Sequence, residues 1–231
     1  MLDLPRSWWL LVALACALTA CEKDPPPTIA SRRAAEAAMP IDSSRTQLIT
    51  VVSDQWNDFR GTLRRYERAP GERWKPIGSP IDVVLGRNGY AWGRGLHGGS
   101  APVGRPGPVK REGDGRSPAG VFGIGSAYGY AAAPGNISLP YTQATADLRC
   151  VDDPHSLHYN RIVSTDDTSV DWQSAEHMRR DDDLYVLTVV VEHNTVETRV
   201  NAGSCIFIHL WQGPDKGMSG CTAMSMTALE E

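Results

Sequence analysis

From Thr46 onward, short apolar runs rich in β-branched and aromatic residues alternate with turn-forming residues, and helical periodicity is sparse. Residues 47–52 (Gln-Leu-Ile-Thr-Val-Val), 62–68, 74–77 and 81–85 are such runs. Pro70-Gly71, Gly78-Ser79-Pro80 and Asn88-Gly89 punctuate them. Runs of this kind at short, regular spacing predict the strands of a sandwich or barrel. Asn88-Gly89 is in addition a hairpin-turn signal, because both residues tolerate positive φ. Residues 184–191 carry the strongest strand pattern, and 205–211 (Cys-Ile-Phe-Ile-His-Leu-Trp) carry another. Residues 93–140 are dense in Gly and Pro with few apolar runs; so long a stretch inside a compact domain is expected to be functional. Residues 169–180 hold one helix candidate and 223–231 the start of another. The expected class is mostly β, a sandwich.

Composition narrows the alternatives. With 41% hydrophobic and 22% charged residues, the chain is neither wholly disordered nor a polytopic membrane protein. A formal net charge of −4 gives no electrostatic footprint for nucleic acid. The five cysteines are an odd number, so in an exported protein at least one stands outside any intramolecular disulfide.

Residues 1–20 suit a secretory signal: Arg6, then an uncharged apolar run from Trp8 to Ala20, too short to span a bilayer. The run ends Leu18-Thr19-Ala20-Cys21, which resembles the lipobox of bacterial lipoproteins. That resemblance implies cleavage before Cys21, acylation of Cys21, loss of Cys16 with the signal, and a membrane anchor of several acyl chains. The alternative is an ordinary signal peptide cut elsewhere. Residues 21–45 include Pro25-Pro26-Pro27 and read as a tether between anchor and domain, or as a disordered terminus. Glu22, in place of the Asp linked to inner-membrane retention, tilts the expected location to the outer membrane. The folded domain is expected over 46–231.

Chemistry is expected near the C-terminus. His209 closes an apolar β-type run, and Cys221 follows a Gly/Pro-containing loop within Ser219-Gly220-Cys221-Thr222. A Cys just ahead of a helix has its thiolate favoured by the helix N-terminus. A nearby imidazole lowers the thiol pKa further and takes its proton. Free amides around Gly220 and Cys221 would form an oxyanion hole. Activity would then rise as a thiolate–imidazolium pair forms and fall as the imidazolium loses its proton. The plain alternative is a buried structural cysteine.

Several segments together resemble the YkuD-type L,D-transpeptidase catalytic domain of bacterial cell-wall enzymes. Residues 110–122 (Lys-Arg-Glu-Gly-Asp-Gly-Arg-Ser-Pro-Ala-Gly-Val-Phe) match its Glu-Gly-Asp…Ser/Thr-Pro-x-Gly segment. Ile208-His209 with Ser219-Gly220-Cys221 matches its His…Ser-x-Gly-Cys signature with the Ser-to-Gly gap closed. Residues 150–154, Tyr159-Asn160, Asp171-Trp172, Ser174-Ala175-Glu176 and Met178 are similar to one sub-branch. The resemblance implies a β-sandwich with a short helix after the nucleophile. It implies attack by Cys221 on a peptidoglycan stem peptide, release of the terminal D-alanine, and a thioester resolved by an amine or by water. His209 would be the general base, with Gly220, Ser219, Thr222 and Tyr159 as oxyanion or substrate-lining residues. No cofactor and no metal are implied; the partners are stem peptides and, through the lipid, a membrane. Thr222-Ala223-Met224 follows the Cys where many members have an apolar residue and then Arg. The family pattern also runs through a helix into a further strand, beyond Glu231. A thiol amidase acting on wall-linked protein and a catalytically silent wall-binding lipoprotein remain alternatives.

Other residues have plainer expectations. His155 and His158 lie near Asp152 and Asp153, but no further ligand falls at zinc-site spacing, so a groove or surface role is expected. Residues 93–99 lack the Gly-Lys-Ser/Thr ending of a phosphate loop and read as a turn-rich loop facing the catalytic side. Asp181-Asp182-Asp183 reads as a solvated turn, and Trp92, Trp172 and Trp211 as core or rim packing. Cys150 and Cys205 either pair in an oxidising envelope or stand as isolated buried thiols.

Overall fold

The computed structural model describes residues 41–99, 101–132, 135 and 137–231. The expected signal sequence, Cys16, Cys21 and most of the tether lie outside the described residues. The fold is mostly β. Its strands are β1 (Gln47–Val52), β2 (Arg60–Glu67), β3 (Lys75–Val84), β4 (Tyr90–Trp92), β5 (Ser117–Ala119), β6 (Ile124–Gly129) and β7 (Tyr141–Gln143). They continue as β8 (Leu148–Val151), β9 (Ile162–Ser164), β10 (Ala175–His177), β11 (Leu187–Val191), β12 (Phe207–Leu210) and β13 (Thr222–Met224). One short helix, α1 (Met226–Glu230), follows, with Ser225 as its N-cap accepting from the Ala228 amide at 3.3 Å.

The main sheet has eight strands in the order β1-β2-β3-β13-β12-β11-β6-β7; a three-stranded sheet, β10-β8-β9, and a β4-β5 pair complete the fold. Most neighbours in the main sheet are antiparallel, but β6–β7 and β12–β13 run parallel, and the latter pairing brings residues 208–210 and 222–224 side by side. Alternation along these two central strands divides the core in two. Phe207, Cys221 and Ala223 join Tyr185, Met178, Cys150 and Cys205 on one face. Ile208 and Met224 join Leu63, Val83 and Leu85 on the other, where Ala228 and Leu229 of α1 also pack. Each large side chain buried this fully contributes about 1.5–3 kcal/mol.

Three local expectations change. Gly78-Ser79-Pro80 does not divide two strands: β3 runs through it, with Gly78 at φ 64° and a register shift opposite Leu63 and Arg65. The glycine marks a bulge, where its freedom at positive φ lets the strand continue. Asn88-Gly89 does turn the chain, with the Gly89 amide donating to the Gly86 carbonyl at 2.7 Å, but no hairpin forms. Beyond the turn β4 leaves the main sheet and pairs parallel with β5. Gly86 explains the exit: a Cβ there would sit 2.4 Å from the Gly115 carbonyl oxygen, so the backbone of residues 115–117 lies directly on it. Residues 169–180 hold no helix but the short strand β10 at Ala175–His177, because Glu176 pairs across from Cys150 and tertiary pairing overrides the local pattern.

The same topology bears on the family pattern's further strand. β13 is flanked by β12 and β3, so no open sheet edge lies beside Cys221; the edges of the main sheet are β1 and β7. Among the described residues no helix is long and apolar enough to cross a membrane.

Candidate active site

His209 lies on β12 and Cys221 immediately precedes the adjacent parallel strand β13, so that both face the same side. His209 is in register with Ala223, two positions past Cys221. With strands ~4.8 Å apart and ~3.3 Å rise per residue, their Cα atoms are separated by about 8 Å, within the span of a thiol and an imidazole. No hydrogen bond joins the two side chains among the described residues. The thiol instead accepts from the Phe207 amide at 3.3 Å and donates to the Cys205 carbonyl at 3.6 Å.

Cys221 is not at a helix start. Strand β13 follows it directly, and α1 begins only after Ser225, so the helix-dipole argument for its thiolate fails. Burial pushes the thiol well above its ordinary value, and the Glu176 carboxylate adds to the rise; the Phe207 amide, Lys110 and Arg180 oppose it. His209 moves the other way. Burial lowers it to about 4 and the Arg180 charge reinforces that, while hydrogen bonding to the Leu210 and Leu184 backbone and the Asp182 charge pull it back. The resting pair is therefore a neutral thiol and a neutral imidazole, not the expected ion pair. The Nδ1 of His209 lies 2.8 Å from the Leu210 carbonyl, a contact that places the ring's proton on Nδ1 and leaves Nε2 as the basic atom. Its ring meets the Tyr185 ring edge-on at 5.0 Å. Thr188, fully buried, stands directly across β11 from His209, and its hydroxyl has no partner among the described residues.

The loop before Cys221 is held from outside by the 110–119 segment. Ser117, 1% exposed, accepts from the Gly86 amide at 2.9 Å and donates to the Cys221 carbonyl at 3.1 Å. Asp114 organises the turn ahead of it, accepting from the Lys110 ammonium at 2.6 Å and from the Arg111 and Arg116 amides. This segment was read only as a family match; its physical task is to fix the backbone of Cys221. The amides of Gly220 and Cys221 donate to no other described residue, which leaves both available to an oxyanion.

The other expected lining residues fare differently. Ser219 is exposed, and its hydroxyl accepts from Arg87 Nη1 at 3.4 Å. Thr222 pairs with Ile208, so strand alternation carries its side chain to the face away from the thiol. Tyr159 is buried rather than on a rim, with its hydroxyl donating to Glu112, whose carboxylate also accepts from Ser204 at 2.7 Å. Asn160, at φ 62°, accepts from the Cys205 amide and donates to the His193 and Asn194 carbonyls. Cys150 and Cys205 form a disulfide, with Cα atoms 6.0 Å apart. It crosses from the small sheet to the stretch leading into β12. A cleft of about 320 Å³ opens beside it, lined in part by Tyr128, Ile162, Val190 and Phe207.

Sequence reasoning did not assign three groups that reach the pair: Glu176, Tyr185 and Arg180. The Tyr185 hydroxyl donates to Glu176, whose carboxyl is raised by burial. Arg180 lies over the Tyr185 ring at 5.1 Å and is paired with Asp182 through Nε and Nη2, both at 2.8 Å. The available signal was their clustering in residues 174–185, within and just past a segment quoted for its family likeness. The remaining candidates are structural. His97 closes the 93–99 loop on itself, accepting from the Val121 amide at 3.1 Å and approaching the Gly93 carbonyl. Asp182 caps the turn before β11. Trp92 packs edge-on against Trp56, and Trp172 against His158. His155 contacts Asp153, and the described residues contain no group of three metal-ligating side chains. Scans of the chain against protein-family models, curated proteins and solved structures return no match.

Proposed function

We propose that the chain is a cysteine acyltransferase of the cell envelope, acting on peptidoglycan stem peptides as an L,D-transpeptidase or L,D-carboxypeptidase. One observation carries the reading: the parallel pairing of β12 and β13 sets His209 and Cys221, the residue just ahead of β13, on one face, with the cysteine's carbonyl held by Ser117 and the imidazole's Nδ1 against a carbonyl. The order of the matched segments along the chain supports the substrate class.

In the proposed reaction the Cys221 sulfur attacks the carbonyl carbon of the penultimate residue as His209 Nε2 takes the thiol proton. The Gly220 and Cys221 amides receive the developing oxyanion. His209 then gives that proton to the departing amine, so D-alanine leaves and a thioester remains. An amine or water attacks the thioester, His209 removes its proton, and the sulfur is released and reprotonated.

Incubation of the purified protein with disaccharide-tetrapeptide, read by mass spectrometry, tests this. The expected products are free D-alanine with either a tripeptide or a cross-linked dimer, and none with Cys221→Ala. No product from folded wild type overturns the enzymatic reading in favour of a silent wall-binding protein.

A further inference from the structure

We propose that Arg180 binds the carboxylate of the substrate's leaving residue and so restricts the enzyme to the last peptide bond of an acyl donor. The inference rests on the acyl-transfer reading above. A terminal carboxylate lies three covalent bonds, under ~4 Å, from the scissile carbonyl carbon, so a cation that selects for it must stand beside the nucleophile. Thr222-Ala223-Met224 supplies none. Lys110 is 4% exposed and committed to Asp114 and to the Arg111 carbonyl. Arg87 leans on Ser219, at the outer side of the loop.

Arg180 has the required placement. Its guanidinium stacks over Tyr185, whose ring in turn lies against His209. Its charge acts on both Cys221 and His209. It is also held in orientation before any ligand arrives. Asp182 fixes its Nε and Nη2 edge, and the Arg180 amide donates to the Tyr130 hydroxyl at 3.1 Å. That hydroxyl donates to the Asp182 carbonyl at 2.9 Å. The Nη1 donors have no partner among the described residues, and the side chain is 34% exposed. A guanidinium with one edge anchored and the other open is suited to a second carboxylate.

The test compares two stem tetrapeptides that differ only at the C-terminus, one a free carboxylate and one a carboxamide. Binding to Cys221→Ala protein is measured by calorimetry, and turnover by the wild type is measured alongside. The expected preference for the carboxylate is about ten- to hundred-fold in binding. Arg180→Ala should bring that ratio close to one, and Arg180→Lys should restore part of it. Turnover should lose the same ratio, mainly through KM. A role confined to the Asp182 pair would weaken both peptides equally and keep the ratio, which overturns the proposal, as does equal or absent binding of the two peptides. Carboxylate-selective binding that depends on Arg180, without turnover by wild type, would uphold the carboxylate site and refute acyl transfer instead.

Discussion

At the scale of single residues, the outcome that matters most is the charge state of the Cys–His pair. Sequence order singled out the two residues as candidates, but not the enclosure that keeps both neutral, because Tyr185, Met178 and Cys150 join their face from other parts of the chain. An imidazole that must be neutral to accept a proton works above its own pKa. Activity is therefore expected to rise as pH climbs through about 4 and to stay level across neutrality. A pH–rate profile of kcat/KM checks this, and a rising limb centred near 6.5 would refute it. The raised thiol predicts slow alkylation by iodoacetamide at pH 7, compared with a free cysteine, in the absence of substrate. Ser117 is the other residue with a defined load. Ser117→Ala leaves the Gly86 amide without its acceptor and the Cys221 carbonyl without that donor, and is expected to cost about 1–3 kcal/mol by denaturant unfolding. On the proposed mechanism activity should fall further than stability, since the backbone of Cys221 loses its anchor.

At the scale of elements, legibility followed locality. β1 was legible to the residue, because its alternation and its β-branched content are properties of its own six positions. Gly78-Ser79-Pro80 misled because a turn and a bulge use the same residues, and only the partner strand, with its shift at Leu63 and Arg65, decides between them. Residues 169–180 misled for the complementary reason: what makes Glu176 a strand residue is Cys150, far away in sequence. The helix expected to start around residue 223 does form, but strand β13 intervenes, and its parallel pairing with β12 is what sets His209 beside Cys221. The disulfide belongs to this scale as well. It closes 55 residues between β8 and the approach to β12, and by loop-closure entropy contributes about 4 kcal/mol. Replacing Cys150 and Cys205 together by Ala should lower unfolding free energy by about that amount; an unchanged denaturation midpoint would contradict it.

For the whole molecule, acid sensitivity follows from two buried histidines on different parts of the fold. His193 and His209 are each lowered to about 4, chiefly by burial. In the unfolded chain both take up protons near pH 6.5, so stability is full above that value and falls as pH drops from 6.5 to 4. The loss is about 3 kcal/mol for each histidine, and Asp182, held low by Arg180, adds to it at still lower pH. Chemical denaturation at pH 7 and pH 4.5 should show this drop, and His193→Gln should remove part of it. The same enclosure gives the molecule its one reactive proposal: a neutral thiol, a neutral base and two free amides held together by the central parallel strands. Intact-protein mass spectrometry of an acid-quenched reaction with disaccharide-tetrapeptide tests that proposal most directly. The wild type should carry a thioester-linked tripeptide on Cys221, and Cys221→Ala should carry none. The absence of an adduct on folded wild type, or an adduct that persists in Cys221→Ala, would contradict it.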